Sequence, residues 1–170
     1  MATKELSIGI IFNFSKNWFG GVNYIINIIK ILNTLPSNEK PDLTVFYTKQ
    51  LSAELDKIKR LNYENIKFKE LNYYIPRGLN YLLSILFNKN YFFKKEFENF
   101  NSIYPFNDLP AYQITNVKLV SWIPDFQHKF YPNYFNKAHL ILREFKFKKI
   151  FKHSDITILS SKDSQDSLLN

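Results

Sequence analysis

The sequence predicts an α/β domain built on a doubly wound parallel sheet, and three observations carry that expectation. Short, mostly apolar runs bounded by turn residues alternate with longer helix-patterned stretches, the signature of βαβ units. Each run is short and mostly apolar, as buried parallel strands are. The length, 170 residues, suffices to bury one core over about two-thirds of the unfolded surface, so one domain is expected over residues 1–170.

The strands are expected at Ser7 to Phe14, Leu43 to Thr48, Ile66 to Leu71, Ser102 to Phe106, Val117 to Ile123 and Asp155 to Ser160. Between the first two, Val22, Ile25, Ile26, Ile29 and Leu32 recur at helical spacing, and the turn "TLPSNEKP" stops them. "SAELDKIKRL" reads as a second helix with Ser52 as its N-cap. Gly78 to Phe100 reads as one helix, or two broken at Asn88 to Asn90, with a greasy face and a lysine-rich one. "NKAHLILREFKFKKIFKHS" is a further helix whose basic C-terminal end offsets the helix dipole. "SSKDSQDSLLN" opens another with Ser and Asp in capping positions. A doubly wound domain seldom stops one turn into a helix, so Asn170 is not expected to be the natural end of the working protein.

The composition excludes several classes. With no cysteine, disulfides and thiolate metal sites are out, and three histidines far apart in sequence give no expectation of a metal centre. "MATKELSIGIIFNF" lacks the small-residue cleavage site of a secretion leader, and runs such as "YLLSILF" fall short of the roughly 20 residues of a bilayer span. A cytoplasmic chain, soluble or at most resting on a membrane surface, is expected. The net charge of +8 attracts nucleic acid, anionic lipid or phosphorylated ligands, although an Asn-, Lys-, Ile-rich composition of AT-rich coding also raises lysine without functional demand.

Ligands of such sheets sit at the carboxyl ends of the strands. Three clusters stand there. Gly20 and Gly21 precede the first helix, where bare backbone and helix N–H groups suit a phosphate or a sugar hydroxyl; close packing of helix on sheet explains them equally well. Neither Gly-x-Gly-x-x-Gly nor Gly-Lys-Ser/Thr is present. "WIPDFQHKFYPNYF" follows the fifth strand and sets Asp125 and His128 among aromatics, the groups a sugar site uses for hydrogen bonds, stacking and proton transfer. The plainer reading is a loop closed over the core, with Asp125 capping a turn. Ser160 and Ser161 end the sixth strand and open a helix, where hydroxyls cap the N-terminus or receive an anion. No nucleophile elbow and no glycosidase carboxylate pair is identifiable.

In this order, "FGGVNYIINIIKIL", "VKLVSWIPDFQHKFYPNYF" and "FKHSDITILSSKDSQDSL" resemble the N-terminal lobe of GT-B glycosyltransferases, in particular the large retaining family called family four. The resemblance covers essentially the whole chain and implies a Rossmann-like lobe of a GT-B fold. It implies that Gly20 and Gly21 approach the donor phosphates or the acceptor, and that Asp125 and His128 line the acceptor side of the cleft as catalytic groups. Ser160 and Ser161 are further candidates for the donor, and Asn23 and Trp122 for the substrate. Many relatives carry a histidine directly after the fifth strand; here Pro124 stands in that region and the histidine is His128.

The family holds its nucleotide-sugar mainly in a second lobe with two spaced glutamates, so this chain is expected to be the acceptor-side half, inactive by itself. The expected activity of the intact protein is sugar transfer from a nucleotide-sugar to a glycan or lipid-linked acceptor of a bacterial surface polysaccharide. No cofactor is called for, the nucleotide-sugar being a substrate. The basic, aromatic segment Tyr73 to Phe100 is a candidate for contact with anionic lipid. The alternative is a non-catalytic domain gripping nucleic acid or another polyanion through Lys94, Lys95, Lys146, Lys148, Lys149 and Lys152, with Phe92, Phe93, Phe145, Phe147 and Phe151 as stacking faces.

Overall fold

A computed structural model describes residues 6–15, 17–71, 97–107 and 116–169. Six parallel strands, β1 (Ser7–Phe12), β2 (Asp42–Tyr47), β3 (Ile66–Glu70), β4 (Ser102–Tyr104), β5 (Lys118–Ile123) and β6 (Ile156–Leu159), form one sheet in the order β3-β2-β1-β4-β5-β6. This is a Rossmann-like α/β fold. The chain winds outward from β1 through β2 to β3, then returns to lay β4 against the other side of β1. The switch point, where such sheets open a crevice, therefore lies between β1 and β4.

Strand periodicity divides the core in two. Ile10 and Phe12 of β1 and Leu43 and Val45 of β2 point to the face covered by α1 (Phe19–Leu32) and α2 (Leu55–Lys59). There they meet Val22, Ile25 and Ile29 on one stripe of α1, and Leu55 and Ile58 of α2. Ile11, Phe46, Ile103 and Leu119 point the other way, onto Phe97 and Phe106. A third, smaller cluster joins Ile123 and Phe126 to Ile150 of α4 (Lys137–His153). Between β5 and α4 lie the short α3 (Gln127–Phe130) and a 3₁₀ turn at Pro132–Tyr134. After β6 comes α5 (Lys162–Leu169).

All six expected strands form, but β1 and β4 end two residues early. At β1 the chain leaves the ladder for the loop that rims the crevice, and at β4 it turns through a cis Tyr104–Pro105 peptide. The second helix starts later than its sequence suggests. Residues Lys49–Glu54 form a 3₁₀ helix, so Ser52 lies inside it rather than at an N-cap, and Thr48 holds the cap position. Of the helix expected over 78–100, only 97–100 are described, and they form a turn; the segment expected to meet lipid otherwise lies outside the described residues. Asn136 does cap α4, its side chain accepting the His139 N–H at 2.8 Å.

The entry of β6 is fixed by one carboxylate. Asp155 accepts the Leu119 N–H at 2.8 Å and the Lys118 ammonium at 2.9 Å, while its own N–H donates to Leu119. These bonds, the Leu119 N–H first, hold the Asp155 carboxyl below its usual range. A depressed folded-state pKa stabilises the fold above the unfolded value near ~3.9, and that stabilisation is lost as pH falls through the folded value. Asp155→Ala is expected to cost roughly 1 kcal/mol at neutral pH, with the deficit narrowing in urea melts run below about pH 3. An equal deficit at every pH would mean the carboxylate charge contributes nothing.

Candidate functional site

A cleft of about 500 Å³ opens at the carboxyl ends of β1, β4 and β5, at the switch point. Asn13, Phe14, Ser15 and Trp18 rim it from the loop after β1, Pro105 and Asn107 from the chain after β4, and Pro124, Asp125 and Gln127 from the chain after β5. Helix α4 closes the remaining side with Arg143, Lys146, Phe147 and Ile150. These four recur at i, i+3, i+4 and i+7, one face of a helix. Phe147 and Ile150 pack toward the sheet, and the same stripe, continued one turn beyond the sheet's end, presents the two cations.

The aromatic wall is a stack. Tyr24 of α1 lies parallel to Trp122 with ring centroids 3.9 Å apart, and Trp18 lies on Trp122 at 5.5 Å and 14°. Phe14 meets both indoles edge-on, at 5.1 Å from Trp18 and 6.2 Å from Trp122. The Trp122 indole N–H donates to Ser160 Oγ at 2.8 Å, and its backbone N–H donates to Asn107 Oδ1 at 3.1 Å. The Gln50 amide donates to the Phe14 carbonyl at 2.8 Å and holds the rim loop in place.

The polar wall is a short ionic array. Asp125 Oδ1 accepts the Gln127 N–H at 3.1 Å and faces Arg143 Nη2 at 3.4 Å. The Arg143 guanidinium lies over the rings of Phe135, at 5.0 Å, and Phe147, at 5.9 Å. Its Nε is buried without a hydrogen-bond partner. The guanidinium is thus fixed in direction by two rings, yet short of acceptors.

Several sequence candidates take other places. Gly20 and Gly21 sit inside the first turn of α1, not in a turn before it, and among the described residues no glycine has positive φ. A Cβ on Gly21 would stand 2.5 Å from the Trp18 ring, so the bare face of Gly21 is filled by indole rather than left for a phosphate. Gly20 is less constrained, its Cβ position lying 3.5 Å from Trp18 Nε1. Trp122 is 3 % exposed and supports the wall; of the two indoles Trp18 is the more exposed, at 38 %. His128 is 3 % exposed and does not line the cleft. Its Nε2 donates to Glu144 Oε1 at 2.9 Å and its ring packs on Phe147, which pins α3 to α4.

Asn23 is exposed on α1, outside the residues that line the cleft. Ser161 accepts the Ser164 N–H at 3.1 Å and so caps α5, while Ser160 holds Trp122; both line a separate hollow along β6. Asp125 alone is a sequence candidate with its polar group at the cleft. Arg143, Lys146 and Trp18 were the residues hardest to find from sequence. The available signal was a pair of cations on the apolar stripe of a helix, at Arg143 and Lys146 beside Phe147 and Ile150.

Fold and site together define a Rossmann-like domain with an aromatic and cationic cleft at its switch point. No family model, curated protein or solved structure matches the chain, so what the cleft binds follows from its own chemistry. Among the described residues no group of His, Asp and Glu side chains gathers to hold a metal ion, and no helix is long and apolar enough to cross a membrane.

The glycines separate two roles cleanly. Gly21→Ala is expected to displace Trp18 and shift tryptophan emission, with a stability loss of about 1–3 kcal/mol from overpacking. Gly20→Ala is expected to leave the emission unchanged and the stability level or slightly higher. Equal spectra for the two variants would show that Gly21 does not make room for the indole.

Proposed function

We propose that this chain is the acceptor-side lobe of a GT-B glycosyltransferase, which transfers a sugar from a nucleotide-sugar to a glycan or lipid-linked acceptor in the cytoplasm, in assembly of a bacterial surface polysaccharide. The observation that carries the reading is the pairing, in one cleft at the switch point, of a partly exposed indole with two cations and a carboxylate. A pyranose presents C–H faces that stack on an indole, hydroxyls that donate to a carboxylate, and, when phosphorylated, an anion for a guanidinium.

The roles divide accordingly. Trp18 is the platform for a sugar ring. Arg143 and Lys146, which line the cleft, hold negative charge there. Asp125 accepts a hydrogen bond from an acceptor hydroxyl and orients it. In a front-face transfer the departing diphosphate takes up the hydroxyl proton and no covalent enzyme nucleophile is needed, so preorganised charge is the chief contribution of this wall. His128 positions the loop bearing Asp125 through Glu144 rather than touching substrate. The polyanion-binding alternative is less favoured, because Phe147, one of its candidate stacking faces, is engaged by Phe126, His128 and the Arg143 guanidinium.

Both tryptophans of the chain border the cleft, so its intrinsic emission reports occupancy directly. Titration with glucose 1-phosphate, a probe of the acceptor side, is expected to give a saturable emission change, with free glucose far weaker. UDP-glucose, whose nucleotide belongs to the other lobe on this reading, is expected to be weaker as well. Arg143→Gln is expected to weaken the phosphorylated ligands by about tenfold or more, since a charge-assisted hydrogen bond contributes about 1.5–3 kcal/mol. Silence across a panel of nucleotide-sugars, sugar phosphates and oligosaccharides, with the fold intact by circular dichroism, would sink the reading.

A further inference from the structure

The 127–153 segment is anomalous in two respects at once. It carries six lysines and one arginine against a single glutamate, a net +6 of the chain's +8. It also leaves large apolar side chains in water: Tyr134 is 84 % exposed and Ile141 69 %, with Phe130, Tyr131 and Leu142 exposed as well. A packed domain rarely strands so many within so short a stretch. On α4, Lys137, Ile141, Lys148 and Lys152 recur at i, i+4, i+11 and i+15, one outer face of the helix, and all four are exposed. Phe135 and Leu142 line a shared hollow of about 460 Å³ with Arg143 and Lys146, so the turn before α4 and the first turns of α4 form one continuous surface.

We propose that this outer surface of α4, with Phe130, Tyr131 and Tyr134, docks on an anionic lipid bilayer. Aliphatic and aromatic groups ringed by lysine match the boundary between acyl chains and negatively charged headgroups, the tyrosines lying at headgroup depth. Charge argues against a second copy of the chain, because two such surfaces would bring +6 against +6. The aliphatic character argues against nucleic acid, since Ile141 and Leu142 offer no face on which a base can stack. The inference stands independently of what the cleft binds.

The test is vesicle co-sedimentation of the intact chain, with phosphatidylglycerol-containing and pure phosphatidylcholine vesicles at low and physiological salt. Binding is expected only to the anionic vesicles and is expected to weaken with salt. The variant Tyr134→Ser/Ile141→Ser/Leu142→Ser, at exposed positions, is expected to lose at least about tenfold in vesicle binding with its thermal melt unchanged. Lys137→Glu/Lys148→Glu/Lys152→Glu is expected to lose about a hundredfold or more, given roughly fivefold per lysine near the surface before the reversed charge is counted. Unchanged vesicle binding by the serine variant would overturn the proposal in favour of diffuse attraction to any polyanion. So would equal binding to neutral vesicles, tighter retention of an oligonucleotide at the same salt, or self-association that the serine variant abolishes.

Discussion

The cleft depends on the burial of one indole. Trp122 ends β5, yet it is held by the other elements that rim the crevice: Tyr24 from α1 on one face, Trp18 from the loop after β1 on the other, Asn107 from the chain after β4 and Ser160 from the end of β6. A buried indole needs a partner for its N–H and close contact on both faces. Meeting those needs brings the ends of β1, β4, β5 and β6 into a fixed relation. The rest of the rim is built outward from that contact, with Phe14 edge-on to both indoles and Gln50 holding the Phe14 carbonyl.

This constraint explains what could and could not be read in the sequence. The central strands were legible because burial on both faces favours mostly apolar runs, whereas edge strand β3 alternates Ile66 and Phe68 with lysines; α1 was legible because Val22, Ile25 and Ile29 all serve one core. Gly21 reads as room for a phosphate, a sugar or close packing, and sequence alone does not say which approaches; here Trp18 lies against it. His128 illustrates the same limit. An imidazole in an aromatic loop reads as a cleft residue, whereas the chain turns it under α4 to meet Glu144, sixteen residues further on. Contacts across that distance follow from tertiary packing, which local pattern does not contain.

Ser52 failed for a different reason. Its hydroxyl suits an N-cap, but Leu51 is completely buried, and seating Leu51 winds residues 49–54 into a 3₁₀ helix that begins earlier. Core burial outweighs a cap of about 1 kcal/mol. Arg143 was missed, and Lys146 reads only as one of a run of lysines for a polyanion, because α4 looks merely basic when read along the chain. Only once Ile150 is placed against Ile123 and Phe126 does one stripe face the sheet, and those two cations then fall on its continuation above the strand ends.

Helix α4 thus has two working faces. Successive residues turn about 100° around the helix axis, so Ile141 and Arg143, two apart, point to nearly opposite sides. One faces solvent beside Lys137 and Lys148, and the other faces the cleft. A helix with its side chains is about 10–12 Å across. On the two proposals taken together, Arg143 and Lys146, which line both the cleft and the hollow beside Leu142, would stand at the border between a bound ligand and the headgroups. The rings of Phe135 and Phe147 that fix the Arg143 guanidinium would keep it aimed at the cleft rather than at the competing anionic surface beneath. One helix with cations on both faces can in this way serve a membrane and a ligand, because packing decides which charges each of them meets.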